Sequence, residues 1–160
     1  NIIYNYYIHP QWDEFGAHTL YLKILYVDYD AGYCFVELIG EWNDCLDNDI
    51  QFFKRNVLDS MISNGINKYI LIMENVLNFH ASDDCYYEEW YEEINEGGGW
   101  IALINTHEHV KTEMKQIGLQ HYMHFGKKFS NVNWRQDAPG SAYEMIAELV
   151  EGRARVLLDV

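Results

Sequence analysis

Two short apolar runs, separated by a helix-length polar segment, constrain the fold most. The runs "KYILIM" (residues 68–73) and "WIALI" (residues 100–104) have strand length and are almost free of polar side chains. Such runs are typical of parallel strands that are covered on both faces. Between them, residues 83–95 carry aromatic side chains on one helical face and glutamates on the other, before three glycines. This strand–helix–strand order predicts an α/β domain with right-handed crossovers.

The rest of the chain extends the same alternation. Residues 18–29 and 33–39 alternate as strands around a turn, "DAG", which predicts an N-terminal antiparallel hairpin. Further helices are predicted over 46–63 and 142–150. Another is predicted to begin at Asn105, with a capping-box-like pattern, and to end at Gly118. A last strand is predicted over 120–125. We predict one domain over 1–160, made of an N-terminal arm (1–16), a core (17–126) and a C-terminal loop and helix (127–160).

Composition narrows the function. The formal net charge is −14, and no Lys or Arg occurs between Tyr69 and Val110, so the surface repels phosphate backbones and nucleic-acid binding is not expected. No apolar run reaches the roughly 20 residues of a membrane span. Three cysteines without a C-x-x-C pair favour a reducing compartment, and we expect a cytoplasmic protein. The arm is rich in Tyr and Asn, and we predict that it is extended and packs its aromatic side chains on the domain. Its Tyr and Trp residues leave a partner surface or a homodimer as the alternative.

The junction "NFHASDDCYY" (residues 78–87) holds the densest group of chemically capable side chains. Ser82 is predicted to be the N-cap of the following helix, with Asp83 and Asp84 at the positive end of the helix dipole. Phosphorylation of Ser82 is an alternative, although the phosphate would be repelled by both aspartates. A zinc or iron site is a further alternative, and its ligands would be His80, Asp83, Asp84, Cys85, His107 and His109.

None of these residues has the spacing of a known zinc signature, so no metal is assigned. His121 and His124 would lie on opposite faces of the predicted last strand and form no site together. The glycine run lies between a helix and a strand, the reverse of the order that phosphate-binding loops use. No G-x-S-x-G nucleophile motif is present. We therefore predict a protein without enzymatic activity or cofactor.

Three segments in register resemble the STAS family, which includes the anti-sigma factor antagonists. "LIGEWNDCLDNDIQ" is similar to the family's strand ending in G-E/D-L-D, and "INKYILIMENVLNFHASDD" to its strand ending in D-S-S-G. "GGGWIALINTHEHVKTEMKQIGLQHYMHF" is similar to the segment that follows. The resemblance implies a SpoIIAA-like fold with a mostly parallel sheet. It also implies a protein partner, which in this family is a kinase-like anti-sigma factor.

The phosphoacceptor motif of the family differs here. D-S-S-G aligns with His80-Ala81-Ser82-Asp83, so Ala81 occupies the usual phosphoacceptor position and only Ser82 matches. We predict a regulatory interaction domain whose contact loop is formed by Asn78, His80, Ser82, Asp83 and Asp84. A protein of the same fold that binds a lipid or a nucleotide, with the aromatic helix face lining a pocket, is the alternative.

Overall fold

One four-stranded sheet with strand order β1-β2-β3-β4 organises the protein in the computed structural model, which describes residues 15–158 and the side chains up to Gly152. The strands are β1 (Leu20–Asp28), β2 (Tyr33–Asn43), β3 (Lys68–His80) and β4 (Trp100–Ile104). β1 and β2 pair antiparallel, whereas β2, β3 and β4 are parallel neighbours. The predicted hairpin, parallel strands and α/β class are confirmed.

Within residues 15–158, four α-helices connect and cover the sheet. α1 is continuous over Asp49–Phe53, a π-helical turn at Lys54–Leu58 and Asp59–Ser63. The others are α2 (Cys85–Asn95), α3 (Glu108–Gln116) and α4 (Pro139–Leu158). α1 ends as predicted at Asn64-Gly65, where Gly65 has φ +91° and Ile66 N donates to Met61 O at 3.0 Å.

Apolar side chains fill both faces of the sheet. On one face, α1, α2 and α3 bury residues such as Phe53, Trp90 and Met114. On the other face, α4 packs Ala142, Ile146 and Val150 against β2, β3 and β4. The two layers explain why 68–73 and 100–104 read as continuous apolar runs, since alternate side chains enter different cores. Within residues 15–158, no helix combines the length and apolar character needed to cross a membrane.

The strand predicted over 120–125 is wrong. Leu119–His121 form a 3-10 turn after Gly118, whose φ is +81°, and only His124 pairs with the sheet, through a single bridge to Ala102. Leu119, Met123 and Phe125 are nevertheless buried. The apolar residues of this segment are therefore buried by irregular backbone and not by an extended strand.

The helix start predicted at Asn105 is also wrong, because α3 begins at Glu108 with His107 as its N-cap. Asn105 instead has φ +57°, and its side chain accepts from Val132 N at 2.7 Å and donates to Val132 O at 2.9 Å. It therefore attaches the end of β4 to the loop before α4. Of the predicted N-terminal arm, residues 1–14 lie outside the described part of the chain.

Candidate functional site

β2 and β3 end side by side at the carboxyl edge of the parallel strands. Asn43 pairs with His80, and Asp44 N donates to His80 O at 2.7 Å. β3 is longer than predicted, so Asn78 and His80 belong to the strand and not to a loop. Asn78 Nδ2 donates to Glu41 Oε1 at 3.2 Å, and the His80 side chain is exposed. In open α/β sheets this edge is where ligands and partners commonly bind.

The turn from Ala81 to Asp84 connects β3 to α2. Ser82 and Asp83 are exposed, whereas Ala81 packs against the core. The prediction that Ser82 caps the helix is wrong, because α2 begins at Cys85 and its N-cap is Asp84. Asp83 Oδ1 accepts from Cys85 N at 3.2 Å, so the carboxylate takes the free N–H that the Ser82 hydroxyl was expected to take. The α2 helix thus starts at Cys85, two positions after the predicted start at residue 83.

The two aspartates of this turn raise the pKa values of a neighbouring phenol and a neighbouring thiol. Tyr122 donates to Asp84 Oδ2 at 3.0 Å, and this bond raises the pKa of Tyr122 to about 12. The hydrogen bond to Asp83, together with the negative charge of that residue, raises the pKa of the Cys85 thiol. Because the thiolate is the reactive form of cysteine, Cys85 is a poor nucleophile at neutral pH.

A second loop, which the sequence analysis did not select as a site, lies beside this turn. In the β2–α1 loop (residues 43–50), Asp44 Oδ1 accepts from Ile50 N at 2.8 Å and from Trp42 Nε1 at 2.9 Å. Asp49 Oδ2 accepts from Asn43 N at 2.8 Å. Each end of the loop is thus held by a carboxylate from the other end. Four carboxylates in "EWNDCLDND", between a strand and a helix, were the available sequence signal.

The two carboxyl groups of this loop have shifted pKa values. Burial raises the pKa of Asp44 to about 6, although hydrogen bonds from Tyr87, Ile50 N and Trp42 oppose the shift. Burial also raises the pKa of Asp49, whose Oδ1 is buried without a hydrogen-bond partner. Tyr87 donates to Asp44 Oδ2, which ties the loop to α2.

No three of the residues considered for a metal site converge on one point. His107 Nε2 lies 2.8 Å from Glu74 O, and His109 Nε2 lies 2.6 Å from Leu77 O, so both imidazoles bind backbone carbonyls of β3 beyond the end of β4. His121 lies in the 3-10 turn and His124 in the bridge, so the prediction that they share a strand is wrong. Among the residues whose side chains are described, three metal-capable groups converge only at Asp59, Glu89 and Glu93.

A lysine fills that acidic cluster. Lys54 Nζ lies 2.8 Å from Glu89 Oε2 and 2.7 Å from Glu93 Oε1, and it also contacts Asp59, while its own side chain is fully buried. Burial alone would lower the pKa of Lys54, but the hydrogen bonds with the three carboxylates reverse this effect and raise it. Hydrogen bonds from Arg55 and Lys54 hold the pKa of Glu89 at about 2. The cluster is therefore an ion-pair network that joins α1 to α2.

Comparisons with known proteins identify the fold. No protein-family model and no curated protein matches the sequence. Among solved structures, the chain is similar to the anti-sigma factor antagonist SpoIIAA in its unphosphorylated form, at 16% identity and TM-score 0.51, covering 67% of this chain and 89% of that chain. Phosphorylated SpoIIAA of Bacillus matches at 12% identity and TM-score 0.46, covering 67% of this chain and 92% of that chain. A candidate anti-sigma factor antagonist from Thermotoga maritima matches at 21% identity and TM-score 0.49, covering 73% of this chain and 89% of that chain.

Proposed function

From a STAS/SpoIIAA-like fold as the premise, we propose that the protein is a non-enzymatic regulatory domain that binds a protein partner. The partner surface is the edge formed by Asn78, His80, Ser82, Asp83 and Asp84 with the neighbouring β2–α1 loop. The observation that carries the proposal is that this edge is held by hydrogen bonds and yet faces water. Loops at the carboxyl end of parallel strands that are positioned by a rigid scaffold commonly carry binding functions.

The chemistry of the edge supports binding more than covalent catalysis. The pKa values of Cys85 and Tyr122 are both raised, so neither is activated as a nucleophile or base at neutral pH. Asp83 is exposed, and although its Oδ1 accepts from Cys85 N, a carboxylate has further acceptor sites that suit hydrogen bonding with a partner.

A kinase-like anti-sigma factor is the partner class that the family resemblance suggests. SpoIIAA has been solved in phosphorylated and unphosphorylated forms. In this chain Ala81 occupies the aligned phosphoacceptor position, and it packs against the core. We propose partner binding that does not depend on phosphorylation there. Ser82, the exposed hydroxyl of the turn, is the residue on which a modification would act.

We also propose that the protein acts in the cytoplasm. Cys34, Cys45 and Cys85 are all free thiols, which suits a reducing compartment. A homodimer stays a prediction, which sedimentation of the purified protein over a range of concentrations tests.

The test is capture of partners from native cell extract by wild type, Ser82→Glu and Asp83→Ala. Asp30→Ala, at an exposed turn between β1 and β2, is the matched control for loss of one surface carboxylate. We expect a protein that is retained by wild type and the control and lost from both site variants, with direct binding then measured on the purified pair. Equal capture by all four proteins contradicts the proposal. If nothing specific is captured, thermal-shift screening with lipids and nucleotides tests the carrier alternative.

A further inference from the structure

Leu46 is exposed to water on the β2–α1 loop. Its relative exposure is 80%, the highest among the large apolar residues of the described chain. A single exposed leucine is ordinary at a protein surface. Its exposure is informative only if the local backbone does not itself force the side chain outwards.

The loop around Leu46 is fixed by its own hydrogen bonds. Leu46 N donates to Asn43 Oδ1 at 2.9 Å, and Asp47 N donates to Asn43 O at 3.2 Å. The crossed bonds from Asp44 to Ile50 N and from Asp49 to Asn43 N close the loop below it. Leu46 is thus presented at the top of a closed loop, which lowers the entropy lost when a partner binds.

Leu77, which is 56% exposed, provides the contrast. It lies at a bulge in β3, because Val76 and Asn78 pair with Gly40 and Glu41 of β2 and the pairing skips Leu77. No such strand irregularity acts on Leu46, since it lies between β2 and α1. The fold explains the exposure of Leu77 but not that of Leu46.

The surroundings of Leu46 are acidic. Residues 41–50 contain no Lys or Arg. Of their four carboxylates, Glu41 is exposed and Asp47 is half-buried. Asp49 is buried and Asp44 is engaged by hydrogen bonds inside the loop, so these two contribute little to the surface charge. Exposed Asp83 adds a charge from the neighbouring turn, which the bond from Asp44 N to His80 O holds against this loop. A surface that offers one apolar side chain among carboxylates is complementary to a basic surface with an apolar recess.

We propose that Leu46 is the apolar anchor of the partner interface and that its occupant is a basic amphipathic helix of the partner protein. The apolar stripe of such a helix receives Leu46 between side chains one turn apart, while its Lys and Arg residues face the carboxylates of Asp47 and Asp83. This inference rests on the proposed function and names the chemistry of the partner.

The probe is a synthetic amphipathic helical peptide of lysine and leucine, compared with a scrambled peptide of the same composition. Affinities are measured by calorimetry, with the footprint mapped by amide NMR shifts. We expect Leu46→Ser to weaken binding by about fivefold or more and Leu77→Ser to change it by less than about twofold. The shifts should centre on residues 43–50, and the scrambled peptide should bind more weakly and be insensitive to Leu46→Ser.

Equal affinities of the two serine variants would overturn the inference, as would a footprint confined to the exposed glutamates of α2. Both leucines are exposed, so both variants should fold, and circular dichroism checks this.

Binding of the captured partner to the same variants distinguishes the anchor proposal from the proposed function. If Ser82→Glu and Asp83→Ala abolish its binding but Leu46→Ser does not, the anchor fails while the proposed function stands. If the partner is lost with none of the variants, the proposed function itself fails.

Discussion

The Asp44 carboxyl group is subject to two opposing effects, hydrogen bonds that favour its charged form and burial that disfavours it. It receives hydrogen bonds from Trp42, Tyr87 and Ile50 N, which stabilise its charge, yet burial outweighs them and raises its pKa from 3.8 to about 6. The pKa of Asp44 is therefore lower in the unfolded chain than in the folded chain. Between the two values the folded state binds more protons, so the contribution of Asp44 to stability falls as the pH rises.

We expect Asp44→Asn to remove part of this pH dependence. In wild type, ionisation of Asp44 should lower the unfolding free energy by on the order of 1–3 kcal/mol as the pH rises from about 4 to about 6. Above that range, Asp44 should cause no further change. Urea unfolding at several pH values across this window measures it, with Asp30→Asn at an exposed turn as the control. A slope that is the same in wild type and Asp44→Asn would show that Asp44 ionises normally.

At the scale of elements, the helices α1 and α2 are joined by the Lys54 network. The fully buried ammonium group lies among Asp59, Glu89 and Glu93, whose side chains remain 35–42% exposed. Arg55 adds contacts to Glu89 at 2.6 Å and to Asp59 at 3.1 Å. Removing one partner from a buried ion pair leaves uncompensated charge, which costs more than the intact pair contributes.

Lys54→Met should therefore destabilise the protein by on the order of 2–3 kcal/mol, near the low end for buried pairs because water still reaches the carboxylates. Guanidinium unfolding at pH 7 measures the loss. Arg55→Met is the comparison, and because its guanidinium group is exposed we expect a much smaller effect. Similar losses in the two variants would mean that burial of Lys54 adds nothing to the network.

The turn between α2 and β4 uses its three glycines unequally. A Cβ on Gly99 would lie 2.3 Å from Asn67 O and 2.5 Å from Ile94 O, both of them backbone atoms. A Cβ on Gly97 would meet the end of the Asn67 side chain at 3.3 Å and Ile94 O only at 4.0 Å. Only the Gly99 position brings the backbone of α2, and of Asn67 just before β3, this close to the start of β4.

We expect Gly99→Ala to lower the unfolding free energy by more than about 2 kcal/mol and Gly97→Ala to change it by about 0.5 kcal/mol or less. Thermal unfolding of the matched pair distinguishes the two positions. If both variants were equally stable, the backbone at Gly99 would have room to relax, and the close approach would not explain the glycine.

Across the whole molecule, charge is unevenly distributed. Five of the 11 basic residues lie between Lys111 and Arg135, whereas residues 69–110 contain none. Glu88, Glu92 and Glu96 are exposed on α2 and its C-cap at four-residue spacing, where like charges repel. At a net charge of −14, this repulsion opposes the compact state.

Raising NaCl from about 0.01 M to about 0.3 M, which shortens the Debye length several-fold, should therefore raise the melting temperature by a few degrees. The gain should be larger in Lys54→Met, in which three carboxylates lose their central cation. Differential scanning calorimetry in buffers that differ only in NaCl measures both. A melting temperature that falls with salt would mean that the ion pairs outweigh the net repulsion.

Local patterns account for most of the fold that could be predicted. The hairpin, the parallel strands and the four helices follow from periodicity and turn residues, which act within a few positions of the chain. The last strand was wrong because Leu119, Met123 and Phe125 are buried without extended backbone. At the site, the exposed turn residues Ser82 and Asp83 were selected, but Asp44, Asp49 and Lys54 were missed, since their behaviour depends on partners up to about forty positions away.

What the sequence determined by itself was the α/β class, the order of the elements and the acidic character of the α2 surface, because apolar periodicity and composition are properties of the chain alone. Only the tertiary structure decided that β3 extends to His80, that α2 starts at Cys85, and that the loop presenting Leu46 closes on Asp44 and Asp49. Strand ends depend on pairing with β2, and burial and pKa depend on which side chains the fold brings together. These are long-range effects that local pattern does not contain.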